Sequence, residues 1–159
     1  MLKLSGVIIT YNEARNIERC LRSLIKVVDE IVVVDSFSTD NTKAICLRHN
    51  VKFIEQKFLG YIEQKNFALL QASYDHVVSL DGDEALSEQL QQSILSLKSN
   101  WNYDGYYANR FNNFCGQWIK YSDWYPNKKL RVFDRRKATW AGINPHDHVV
   151  LNNSSQKTG

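Results

Sequence analysis

The chain has 159 residues, 43% hydrophobic and 23% charged, the proportions of one soluble globular domain with a core of its own. No apolar stretch approaches the ~20 residues that cross a bilayer, and the run after Lys3 is cut by Tyr11-Asn12-Glu13, which argues against a signal peptide. The net charge of +3 is uneven: residues 1–100 hold 11 basic and 13 acidic side chains, residues 101–159 hold 9 and 4. That excess predicts an anionic partner for the second part. It does not predict nucleic acid, because the basic residues sit among Trp and Tyr without a nucleic-acid motif.

In chain order, Gly6-Val7-Ile8-Ile9-Thr10 is a continuous β-branched run, as in a strand buried on both faces. Ile17, Cys20, Leu21, Leu24, Ile25 and Val28 follow at helical spacing, with Asn16 or Asn12 as the cap. Glu30 to Asp35 is a second strand. Ser38-Thr39-Asp40-Asn41, rich in capping residues, precedes a helix from about Thr42 to His49 that carries Ala44, Ile45 and Arg48. Val51 to Ile54 reads as the third strand. Gly60 breaks the chain before a helix with Ile62, Asn66, Leu69 and Leu70 on one side. The fourth strand, His76 to Leu80, runs into Asp81-Gly82-Asp83-Glu84, and Ser87 caps a helix with Leu90, Ile94 and Leu97 inward. This alternation predicts a parallel sheet with right-handed crossovers.

From Trp101 onward helical periodicity disappears, and twelve of the nineteen aromatics lie between Trp101 and Trp140. Gly105 to Phe111 and Lys129 to Phe133 read as strands. The expected organisation is one domain in two halves, 1–100 and 101–159, with a polar tail that stops short of a closing element. Cys20, Cys46 and Cys115 are odd in number and lack metal-site spacing, so the expectation is a reducing, cytoplasmic setting.

Three strands thus end in polar residues at one rim, where ligands of open α/β sheets bind. Thr10 to Glu13 follow the first, Asp35 ends the second, and the acidic triplet ends the fourth. Asp81 and Asp83 are two residues apart, and the bend at Gly82 lets them converge. Converging carboxylates favour a hard cation, Mg²⁺ or Mn²⁺, of the kind that bridges to nucleotide phosphates. A carboxylate such as Asp35 can accept from the N–H of a uracil-like base, and Thr10 to Asn12 can hold base and ribose. Neither a G-x-G-x-x-G nor a P-loop motif is present, so a pyrophosphate would depend on metal and side chains, with Lys65 and Asn66 as candidates. Asp40 is read as a cap rather than a ligand.

These segments together, from Leu4 to Leu90, resemble the family 2 inverting glycosyltransferases, and within them the bacterial lipopolysaccharide or lipooligosaccharide core β-1,4-glucosyltransferases. The resemblance implies an α/β GT-A fold, Rossmann-like with a mainly parallel sheet, a UDP-sugar donor and a divalent cation. Residues 1–100 would then form the donor half and residues 101–159 the acceptor side. Thr10, Tyr11, Glu13 and Asp35 would contact uridine, with Asn12, Lys65 and Gly82 in the same donor site. Asp81 would contact ribose or metal, and Asp83 would hold the metal. His146-Asp147 resembles the His-Glu pair of relatives, making Asp147 the candidate general base, with His148 as a rival. The expected acceptor is a lipid-linked or lipopolysaccharide-core glycan, with glucose as the sugar. Trp118, Trp124, Arg135 and Arg136 are candidates for acceptor contact or for peripheral contact with an anionic inner membrane. Two other readings stand beside this one: a nucleotide-sugar-binding module without transfer, and an aspartate-nucleophile phosphatase. The position of the acidic motif on the fourth strand argues against the phosphatase.

Overall fold

The computed structural model describes residues 1–110, 112–114, 117–119 and 127–152, the short stretches 112–114 and 117–119 by backbone alone. Strands β1 (Leu4–Thr10), β2 (Glu30–Asp35), β3 (Lys52–Glu55) and β4 (His76–Asp81) alternate with helices α1 (Ile17–Ile25), α2 (Thr42–Leu47), α3 (Tyr61–Gln71) and α4 (Glu88–Leu97). Then come β5 (Gly105–Arg110), β6 (Asn112–Phe114), β7 (Gln117–Ile119), β8 (Asn127–Asp134), β9 (Ala138–Ile143) and β10 (His146–Leu151). The six-stranded sheet runs β3-β2-β1-β4-β8-β5. Its first four strands are parallel, and β8 is antiparallel to both β4 and β5. The α/β architecture with a mainly parallel sheet is the one expected, and β5 and β8 join residues past 100 to the same sheet.

Both faces of the sheet are buried, and strand alternation divides the core in two. Ile8, Val33, Val78 and Val132 pack with α1, α2 and α4 on one face. Val7, Val32, Val77 and Phe133 pack with Ala68 and Leu69 of α3 and with Trp140 and Leu151 on the other. Gly6 lets α1 come close: a Cβ there would lie 3.3 Å from both Leu24 and Val28.

Several local expectations change. Ile25 and Leu70, assigned to buried faces by spacing, are 50% and 74% exposed. Asn16 occupies the N-cap position of α1, as one of the two expected candidates, but its side chain caps no helix N–H, and Asn12 is not the cap. The Asn16 side chain donates to Glu13, while Asn12 Oδ1 accepts from the Thr39 and Asp40 N–H groups. Asp40, expected as a cap, stands one residue before the N-cap Asn41 of α2, and its Oδ1 accepts from the Thr42 N–H at 2.9 Å. Cys20 and Cys46 are buried, and burial pushes both thiols up, Cys46 to about 12. They act as small hydrophobes.

Arg135 and Arg136, candidates for acceptor or membrane contact, lie away from the rim. They follow β8 at the edge where β4 begins, since His76 pairs with Asp134, whereas Asp81 ends β4 roughly 16 Å away at the usual rise per residue. Arg135 donates to the Tyr74 and Leu69 carbonyls, and Arg136 forms a two-pronged pair with Asp134. They anchor the far end of the sheet. Burial pushes the Asp134 carboxyl up, but the Arg136 hydrogen bonds outweigh it and hold the group below its ordinary 3.8. Stability from this pair is therefore full above 3.8 and fades as pH falls through the lowered folded value. Urea unfolding followed between about pH 5 and pH 2 should show that loss, and Arg136→Ala should flatten this part of the curve.

Candidate active site

The carboxyl ends of β1, β2 and β4 meet at one rim: Thr10 pairs in register with Asp35, and Ile9 with Asp81. A cleft of about 620 Å³ opens there, lined by Thr10, Tyr11, Glu13, Phe37, Asp81 and Asp83 among others. Gly82 closes its floor tightly, because a Cβ at that position would sit 2.7 Å from Thr10 Oγ1. Only a residue without a side chain lets the acidic loop lie against β1.

The acidic triplet divides its work. Glu84 turns inward: Oε2 accepts from the Asp81 N–H at 2.9 Å and Oε1 from Arg131 at 2.7 Å. Burial pushes its carboxyl up against the opposing pull of Arg131. It shapes the turn. Asp83 is exposed and faces the cleft. Asp81 Oδ1 lies buried without a hydrogen-bond partner among the described residues, 3.1 Å from Lys65 Nζ.

Lys65, a donor-site candidate in the sequence, is buried and already paired with carboxylates. Its side chain is 5% exposed, and Nζ donates to Asp147 Oδ2 at 2.6 Å. The ammonium also lies 4.3 Å from the centre of the Trp140 ring. The helix α3 that carries it docks the β9–β10 hairpin. Asn66 exchanges two hydrogen bonds with the Trp140 backbone, and Asn144 accepts from the Ile62 N–H and donates to Glu63. The candidate base thus sits on a hairpin, and strand alternation sorts its residues. Asp147 points inward to Lys65 with a side chain 10% exposed, whereas His146 and His148 are exposed.

Of the other expected site residues, Tyr11 and Glu13 line the cleft. Asp35 is buried, its oxygens accepting from the Ser38 N–H at 2.7 Å and the Ser38 hydroxyl at 2.5 Å. It holds the loop that follows β2. Asn12, at φ 50°, ties that loop to its neighbour through Ser38 and Thr39. Trp118 contributes backbone to β7, and Trp124 lies outside the described residues. Sequence reading missed Phe37, Lys57, Phe58 and Tyr61, which line the same cleft. Phe58 and Tyr61 stack edge to face at 5.1 Å. For Phe37 the signal was an aromatic residue standing alone between two serines in a strand-end loop, where burial gives it no reason to be.

The family model for Glycosyl transferase family 2 matches residues 5–155. The chain belongs to that family. An uncharacterised glycosyltransferase of Rickettsia felis is 37% identical, the alignment covering 96% of this chain and 56% of that protein. The lipopolysaccharide core biosynthesis glycosyltransferase LpsC of Rhizobium meliloti is 37% identical over 60% of this chain and 37% of its own length. The chain spans about half the length of the Rickettsia relative. Among solved structures, S. aureus TarS 1-349 in complex with UDP-GlcNAc is similar at a TM-score of 0.58, with 26% identity over 76% of this chain and 38% of that one. The mannosyltransferase PcManGT from Pyrobaculum calidifontis, in complex with GDP-Man and Mn²⁺, is similar at 0.55 and 27%, over 68% and 36%. The GT-A-like fold expected from the sequence is therefore the fold of this chain's structural neighbours.

A divalent cation fits the residues at the rim. Among the described residues no three His, Cys, Asp or Glu side chains cluster as a metal cage. A cation held by one or two carboxylates and a substrate diphosphate needs no such cage, and the carboxylates of Asp81, whose Oδ1 has Lys65 Nζ as its ion-pair neighbour, and of exposed Asp83 supply that donor set. No helix among the described residues is long and apolar enough to cross a membrane.

Proposed function

We propose that the chain carries the catalytic site of an inverting transferase that moves a sugar, glucose by preference, from UDP to a lipid-linked or lipopolysaccharide-core glycan. The observation that carries this reading is the rim itself. Thr10, Asp81 and Asp83 share one cleft, and Lys65 ties Asp81 to the inward carboxylate of Asp147. Tyr11, Phe37, Phe58 and Tyr61 give the nucleobase aromatic faces, each stacked base being worth about 1–3 kcal/mol in single-strand binders. Thr10 and Glu13 lie where base and ribose would sit, and Asp35 acts through the loop that it holds.

Asp81 and Asp83 would hold Mg²⁺ or Mn²⁺, which when bound offsets the charge of the diphosphate leaving group. Asp147 takes the proton of the acceptor hydroxyl as its oxygen bonds to the anomeric carbon. The bond from that carbon to the diphosphate breaks, and UDP leaves with the electron pair. Attack from the face opposite the leaving group inverts the centre. Residues 101–159 supply the acceptor side.

Calorimetry with UDP and Mn²⁺ tests the donor site. Asp83→Ala should weaken manganese-dependent UDP binding by at least about tenfold, the loss of one charged ligand. Full retained affinity would remove Asp83 from the metal site. UDP-glucose and GDP-mannose titrated beside UDP decide base and sugar.

A further inference from the structure

A second cleft of about 850 Å³ lies across Asp83 and Glu84 from the first. Its walls bring four cationic side chains together from three elements: Arg19 of α1, Arg110 of β5, and Lys129 and Arg131 of β8. Two carboxylates, Asp83 and Glu84, face them. Glu84 is already spent on the Asp81 N–H and on Arg131, and Arg110 stands 3.5 Å from the oxygen that Arg131 holds. Arg19 donates to the Asp83 carbonyl, which orients its guanidinium without neutralising it. Positive charge is left over on described side chains around a floor formed in part by Leu80 and Val132.

The backbone brings Arg131 to this place. The β5–β8 register passes from Tyr106 opposite Val132 to Tyr107 opposite Leu130, leaving Arg131 as the extra residue of a bulge. Such bulges re-aim a side chain. Arg131 also lies 5.7 Å from the Trp140 ring, whose centre is 4.3 Å from Lys65, the residue bonded to Asp147. A short chain of contacts thus links the second cleft to the candidate base.

We infer that this cleft is an anion subsite for the acceptor, which is a saccharide carrying a phosphate or carboxylate group. The inference rests on the transferase reading above. Guanidinium forks pair with both anions in two-pronged fashion. An acceptor anchored by its charge on one side of Asp83 would be held beside a donor bound on the other.

The test uses the full chain saturated with UDP and Mn²⁺, with glucose 6-phosphate, galacturonate and neutral glucose as probes in ligand-observed NMR titrations. At least one anionic sugar should bind about tenfold more tightly than glucose, and the tighter of the two names phosphate or carboxylate. Arg110→Glu with Lys129→Glu should abolish that preference while leaving UDP affinity unchanged. Both side chains reach solvent, and Arg110→Gln with Lys129→Gln repeats the test without charge reversal. Equal binding of all three sugars, or a preference that survives both variants, would overturn the subsite. So would a parallel loss of UDP affinity, which would assign the cleft to the donor. Failure of UDP to bind at all, with the anionic preference intact, would instead overturn the transferase reading and leave an anion site standing.

Discussion

Asp147→Asn is expected to bind UDP-sugar as tightly as the parent chain and to transfer the sugar at least about a hundredfold more slowly, the lower range for loss of a general base. Asparagine keeps the size of aspartate, and its side-chain oxygen can still accept from Lys65, so the hairpin should hold its place. What disappears is a group able to take a proton. The geometry also separates Asp147 from its neighbours. It shares the inward side of β10 with Val149 and Leu151, while His146 and His148 lie on the exposed side. His146→Gln and His148→Gln should therefore transfer within a few-fold of the parent. Initial rates of UDP release, paired with calorimetry of the donor, distinguish the cases. Full transfer by Asp147→Asn would place the base elsewhere, and collapse in His148→Gln alone would hand the role to His148.

The parallel half of the fold was legible because it is built from local signals. A β-branched run buried on both faces needs no distant information, and β1, β2 and β4 appear where the sequence places them, to within two residues. Their polar ends necessarily share a rim, so Thr10, Asp81 and Asp83 could be grouped before any coordinates. Contacts made across long separations were not legible. The pairing of Lys65 with Asp81 and Asp147 was hidden, because these partners stand 16 and 82 residues away and its cover comes from a hairpin with little β-pattern of its own. The burial of α3 was misassigned for the same reason. Its inward positions are Gln64, Lys65, Ala68 and Leu69, and a polar inward stripe carries no hydrophobic signal. Asp35 shows what a strand-end aspartate leaves open: it is equally suited to a ligand and to its own loop, and the bonds to Ser38 could not be read from the sequence.

Lys65→Met should cost about 3–5 kcal/mol of stability, the range for removing one partner from a buried ion pair. Against the ~5–15 kcal/mol that typical domains possess, that is a large share. Methionine has nearly the volume of lysine, so packing against Trp140 survives and the change is mainly electrostatic. The lost cation–π contact accounts for only ~0.5–2 kcal/mol of it. Most of the remainder falls on Asp147. Its side chain is 10% exposed and loses the cation 2.6 Å away, whereas Asp81, 31% exposed, can turn to water. Adding Asp147→Leu to Lys65→Met should accordingly restore much of the loss, since replacing a whole buried pair with apolar groups is often neutral. Urea denaturation of the four chains in this cycle measures the coupling directly. A single variant within about 0.5 kcal/mol of the parent, the span of an ordinary surface change, would mean that Lys65 is solvated and holds neither carboxylate. A double variant that stays as unstable as Lys65→Met would mean that the cost lies in packing, and that the charges at this rim are not what binds the hairpin to α3.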